Sequence, residues 1–355
     1  MRHPTAARSR STLFVLVLAL TGAAACGGDD GSGGGDGSRI ADLMRQMPSI
    51  ERGDQTVFYL YGDLVAASES AGLERPTSLD SDDDLDAFVE WVLTLSGSRS
   101  SDEPATVAAR FPEAVNLVEM RDQAEFADEV GWSLVDVERY LEVSALPVRF
   151  TLIDGTVDTE AVEDAVGEAR NDIWSLGDGD DFESGFGNRS VASPLGVPVR
   201  MATRDGLFAT TTSSDMAGDF VDGDDLGGDE GFNAVAEQLD EAEVYGAFLL
   251  SVREDRDGSP FDTVGVGGGL DGDEALVVAV YHYADAEAAA DGVADVEDVL
   301  DGESRRTGEP WSDSFSATEV VADGATVVAT LRLSDDQSPT MWQNVVMFGD
   351  SLLDF

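Results

Sequence analysis

The side chains available for chemistry are few in kind. The chain holds two histidines, His3 and His282, one cysteine, Cys26, and 72 aspartates and glutamates. A Ser-His-Asp or Cys-His mechanism would have to use His282, and no G-x-S-x-G elbow supplies a serine for it. Residues 276–283 alternate as a strand, which puts His282 on the face of Leu276, Val278 and Val280 and favours a sheet-end hydrogen bond over a general base. Zinc is poorly served, because one histidine without a thiol partner leaves only carboxylates. Lysine is absent, so neither a P-loop nor an S-x-x-K enzyme can be built. Gly267, Gly269 and Gly272 fit G-x-G-x-x-G, but a dinucleotide site needs a strand before the glycines and a helix after them. Here a strand follows, so the segment reads as a glycine-rich hairpin connection and no cofactor is expected.

Calcium takes six to eight oxygen ligands, and acidic clusters occur at residues 178–183, 222–229 and 255–257. The candidate metal ligands are Asp222, Asp224, Asp225 and Asp229. This cluster departs from an EF-hand loop at Leu226 and Asn233, and a solvated acidic loop is the plainer reading. A carboxylate pair across a cleft could hydrolyse a glycosidic bond, and the five tryptophans, including Trp132, Trp174 and Trp342, could stack sugars but more often anchor cores.

Residues 1–25 predict an exported protein. Arg2, Arg8 and Arg10 precede an apolar core at residues 13–20, followed by Gly22, Ala23, Ala24 and Ala25, the layout of a secretory signal peptide. The core is too short for a membrane-spanning helix. Ala23-Ala24-Ala25-Cys26-Gly27 resembles the cleavage region of bacterial lipoproteins, with alanine at residue 23 where leucine is commonest in that family. The resemblance implies cleavage after Ala25, lipidation of Cys26 and a membrane anchor on the outer face of the cell. A lone exported thiol has no internal disulfide partner, in keeping with that use. Residues 27–38 contain seven glycines in twelve positions and predict a flexible tether about 20 Å from end to end.

The formal charge is −51, and −54 once residues 1–25, with three arginines and no acid, are set aside (18 basic residues against 72 acidic). Such a surface repels nucleic acid and anionic headgroups, so no nucleic-acid partner is expected. Carboxylates keep a surface hydrated in high salt, and a GC-rich genome disfavours lysine codons. Both accounts are preferred to cation collection.

The elements that must position any site follow from periodicity. Strands are predicted at 56–61, 114–119, 148–153, 199–203, 207–212, 244–252, 263–267, 276–283, 318–322 and 325–333. Helices are predicted at 63–71, 84–95, 122–130 and 134–141. Two further helices are expected after the N-caps Asp158 (Val162, Val166, Ala169, Ile173) and Asp285 (Ala289, Val293, Val296, Leu300). Asp205-Gly206 and Asp323-Gly324 are hairpin turns. The order strand, helix, hairpin thus occurs twice. The expected fold class is α+β, with two related units at residues 39–221 and 222–355, each a mainly antiparallel sheet with helices on one face. The architecture is similar to that of uncharacterised bacterial lipoproteins, which implies no activity. The expected function is a non-enzymatic, lipid-anchored binding or envelope module whose protein partner or small ligand the sequence does not name. The alternatives are a carboxylate hydrolase and a calcium-binding surface protein.

Overall fold

The computed structural model describes residues 39–50, 56–98, 105–115, 122–252, 259–353 and 355. The signal segment, Cys26, the tether and the acidic pair Asp255 and Asp257 lie outside them. The described residues form one unit.

The elements run α1 (Ile40–Gln46), β1 (Phe58–Asp63), α2 (Leu64–Ser70), α3 (Asp82–Leu95), α4 (Gln123–Val130), β2 (Val137–Ala145), β3 (Val148–Gly155), α5 (Thr159–Val166), β4 (Ile173–Leu176), β5 (Val199–Arg204), β6 (Leu207–Thr211) and α6 (Ser214–Asp222). They continue as α7 (Glu230–Glu241), β7 (Gly246–Ser251), β8 (Phe261–Asp271), β9 (Glu274–Tyr283), α8 (Ala286–Leu300), α9 (Trp311–Ser314), β10 (Phe315–Asp323), β11 (Thr326–Leu333) and α10 (Met341–Met347).

The abundant aspartates start helices. Side chains of Asp63, Asp158, Asp229 and Asp285 accept from backbone N–H groups in the first turns of α2, α5, α7 and α8. Each satisfies a donor that the helix itself leaves free. The Asp205-Gly206 turn has positive φ at both residues, as a tight β5–β6 hairpin requires.

Among the described residues, eleven strands form one antiparallel sheet in the order β10-β11-β9-β8-β7-β1-β2-β3-β6-β5-β4. The class is α+β, as expected, but the two predicted sheets are a single one. β1 pairs with β7, Phe58 opposite Leu250 and Gly62 opposite Gly246, and this joins the halves edge to edge. Helices also cover both faces rather than one. One face carries the core of Leu60, Trp91, Phe126, Trp132, Tyr281, Trp311 and Trp342, beneath α2–α5 and α8–α10. The other carries Tyr59, Leu141, Phe150, Phe220, Phe232 and Val280, beneath α1, α6 and α7.

The predicted helix at 134–141 is a strand: after a 3-10 turn at Leu134–Asp136 the chain extends as β2. β2 lies between β1 and β3 with both faces buried, so its apolar residues do not alternate with polar ones, and Leu134, Val137 and Leu141 fall at a helix-like spacing. The predicted strand at 114–119 is not formed where it can be seen: Ala114 and Val115 sit in a turn, and residues 116–121 lie outside the described residues. The stripe after Asp158 overruns its helix, since Ile173 opens β4. Gly267 to Asp271 end β8 and Gly272 turns into β9, which bears out the hairpin reading of the glycine motif. Gly268 has a packing role as well, because a Cβ there would collide with the Trp342 indole.

Both margins of the sheet are guarded. β4 has four residues, and β10 exposes Glu319 and Asp323 along an otherwise open strand.

Candidate functional site

Register places one residue from each strand in a row across the sheet. From β8 toward β4 the row reads Val266, Phe248, Leu60, Glu142, Thr151, Thr210, Met201 and Trp174. It lies on the face bearing Trp132 and Trp342. A carboxyl group and two hydroxyls therefore interrupt an apolar row at β2, β3 and β6.

Above this end of the row is a cavity of about 710 Å³. Its floor is β3, β5 and β6, through Arg149, Val199, Met201 and Thr210. One wall is α4 and the residues after it, through Phe126, Val130 and Trp132. Its roof comes from the segment between β4 and β5, through Phe182, Pro194 and Leu195. The volume suits a small organic ligand, and the mostly apolar lining suits an apolar one.

The roof is latched at two places. Asp181 accepts from the Ser214 N–H at 2.5 Å and the Ser214 hydroxyl at 2.8 Å, and pairs with the buried Arg200 at 3.3 Å. Glu129 on α4 accepts from the N–H groups of Val191 (3.3 Å) and Ala192 (2.9 Å). Phe182 holds a left-handed backbone, φ 64°, a conformation costly for a bulky residue and kept only where surrounding contacts enforce it. The rim is apolar too: Leu146 and Leu195 are 68% and 69% exposed.

Few polar groups serve the cavity. Arg149 pairs through Nη2 with Glu113 at 2.6 Å, and both line it. The Arg149 Nε is buried without a hydrogen-bond partner, and so is the Nε1 of Trp132, a residue 3% exposed. Trp132 meets Phe126 and Phe208 edge-on or tilted, with centroids 5.3 and 5.5 Å away. Glu142 lies beside the cavity but outside its lining. One carboxyl oxygen accepts from Thr151 at 2.6 Å and from the Ala114 N–H at 3.3 Å, while Oε1 has no partner. Burial pushes its carboxyl up to about 7, against the lowering effects of the Thr151 hydroxyl and the Arg149 charge.

Of the residues singled out from the sequence, Trp132 lines the cavity, whereas the candidate metal ligands and His282 lie elsewhere. Asp222 ends α6, Asp224 and Asp225 follow it, and Asp229 caps α7. Burial and then the neighbouring carboxylates, Asp225, Asp224 and Asp222 among them, raise the Asp219 carboxyl. Among the described residues no three His, Cys, Asp or Glu side chains converge as a metal site would need. The Nδ1 of His282 is 2.9 Å from the Asp262 carboxylate on the neighbouring strand, the sheet-end bond expected of it. Sequence reasoning missed Glu113, Arg149 and Glu142, which belong to no motif. Their signal is register: Glu142 and Arg149 sit two places apart on either side of the β2–β3 turn once the strands are paired.

No family model and no curated protein matches the chain. Among solved structures, crystal form IV of TP0453 aligns at 7% identity with a TM-score of 0.37, and form I at 8% with 0.38. Each alignment covers 86% of this chain and 96% of that one. A likeness that loose transfers no function.

Proposed function

We propose that the protein is exported, anchored by lipid on Cys26 to the outer face of the membrane, and acts without catalysis as a binding protein whose cavity between α4, β3, β5 and β6 holds an apolar small molecule. The cavity carries this reading: about 710 Å³, walled by Phe126, Val130, Trp132, Met201 and Leu195 and roofed by a latched segment. The pattern of residues 1–26 supports the address. The halves 39–221 and 222–355 are read as two copies of one unit. The strand order supports this, because β1-β2-β3-β6-β5 on one side of the β1–β7 pair answers β7-β8-β9-β11-β10 on the other.

A second reading, a carboxylate hydrolase, draws on Glu142, whose raised carboxyl stands with Glu113 about Arg149. It ranks lower because Glu142 is outside the cavity lining and already engaged by Thr151.

The test is to isolate the protein from membranes of its native host, measure its intact mass, and analyse an organic extract of it. The expected result is a diacylglyceryl mass increment that Cys26→Ala abolishes, and a co-purifying apolar compound that Met201→Trp, which fills the cavity, displaces. An unmodified Cys26 removes the anchor. An extract unchanged by Met201→Trp, together with no saturable binding of the neutral dye N-phenyl-1-naphthylamine, removes the binding role.

A further inference from the structure

The cavity floor runs from a charged mouth to an uncharged depth. On one face of a strand side chains recur every second residue, about 7 Å apart. Arg149 on β3 and Thr212 just beyond β6 therefore stand one step nearer the β2–β3 turn than Thr151 and Thr210, which pair across the same two strands. The mouth is at that turn, where Leu146 is 68% exposed. The Arg149–Glu113 ion pair sits there too, its side chains 34% and 44% exposed. Thr210 lies deeper, 5% exposed, opposite Met201 of β5.

One hydroxyl in that depth is uncommitted. Thr151 donates its own to Glu142, Thr211 to the Arg149 carbonyl and Ser193 to the Val197 carbonyl, each at 2.6 Å. The Thr210 hydroxyl makes no such bond among the described residues, and it is not one of the unpaired polar atoms sealed from solvent, while Thr210 lines the cavity. A ligand of hydrocarbon alone would strip this hydroxyl of every partner, which is costly. A ligand oxygen set there meets it. A charge on that oxygen would be stranded, because a buried ion needs a counter-ion. Among the described residues lining the cavity Arg149 is the one cation, and Glu113 already holds it at the mouth at 2.6 Å.

We infer that Thr210 is a specificity-determining residue, and that the ligand is a hydrocarbon carrying one uncharged oxygen, an alcohol or a ketone, which rests on the cavity floor at Thr210 rather than at the mouth. The inference rests on the binding role proposed above and adds the class of ligand.

Three probes of one chain length test it on the full chain carrying Cys26→Ala: 1-decanol, decane and decanoate, each displacing N-phenyl-1-naphthylamine below its solubility limit. At about pH 8, where a carboxylate is fully ionised, decanol should bind tighter than decanoate. Thr210→Val keeps the side chain's shape and removes the hydroxyl. It should weaken decanol about fivefold, the worth of one hydrogen bond, and leave decane bound at least as tightly as before. Thr210→Ala repeats that comparison by truncation, and Thr210→Ser, which keeps the hydroxyl, should retain most of the decanol affinity. Altered packing alone would move decanol and decane together. Equal losses for the two, no loss for decanol, a Thr210→Ser variant no better than Thr210→Val, or decanoate bound tighter than decanol overturns the inference. Failure of all three probes while the dye still binds overturns it also and leaves the cavity's binding role standing. Failure of the dye itself removes that role.

Discussion

The two halves of the sheet share an order of strands but differ in what covers them. Beyond β9 the crossover helix α8 runs fifteen residues and packs on β9, β10 and β11, with Ala289, Val296 and Leu300 buried. In the first half α5, which follows β3, runs eight residues and packs on α4 and β4. At 1.5 Å per residue the difference is about 10 Å of helix. In the second half Trp342 fills the remaining space beside Gly246 and Gly268, its Nε1 donating to the Ala108 carbonyl at 3.0 Å. In the first half the space stays open beneath the segment from β4 to β5. The open half is thus the one whose helix after the third strand is the shorter.

The filled half can be emptied at one side chain. Trp342→Ala removes a fully buried indole and should cost about 4 kcal/mol in denaturant unfolding. A loss near zero would mean that this half is no better packed than the other.

The polar interruption at Glu142 should show itself in pH. Folding raises its carboxyl from 4.5 to about 7, so between those values the folded state binds the extra proton. Its stabilising contribution is full below about pH 4.5 and is lost as pH rises through 7, by about 3 kcal/mol. Glu142→Gln should remove that dependence and be more stable than wild type above pH 8 by a similar amount. Parallel stability curves for the two proteins from pH 5 to 8 would refute the assignment.

A smaller contrast is expected within the row, which continues from Val266 to Ala279 on β9. Ala279→Leu overpacks the covered half and should cost about 2 kcal/mol. Thr210→Leu, facing the cavity, should leave the unfolding midpoint within about 1 kcal/mol of wild type. The smallest effect is expected at the roof. Glu129→Ala frees two backbone N–H groups and should cost about 1 kcal/mol, with faster amide exchange at Val191 and Ala192 and none at α8.

What was legible in the sequence was local. Asp158 and Asp285 announced their helices because an N-cap acts within three residues, and Asp205-Gly206 announced its hairpin because a two-residue turn fixes its own register. The strand β2 was not legible, because burial on both faces erases the alternation that marks a strand. Nor was the single sheet, since β1 and β7 pair across nearly two hundred positions with nothing local to signal it. The cavity was hidden for the same reason: Glu113, Trp132, Arg149, Leu195 and Thr210 meet only after four strands have paired. The carboxylates that drew attention, Asp222 to Asp229, stood out by number, and number in so acidic a chain reports composition.

The guarded margins of the sheet bear on behaviour in a crowd. A strand such as β10 has unused backbone donors and acceptors, and two copies meeting there could extend one sheet into the next. Glu319 and Asp323 along β10 set like charge against like charge at such a meeting, while four-residue β4 offers too short a seam at the opposite margin. Dense populations of this protein should therefore remain a suspension of separate particles, freely exchanging neighbours, rather than set into fibres.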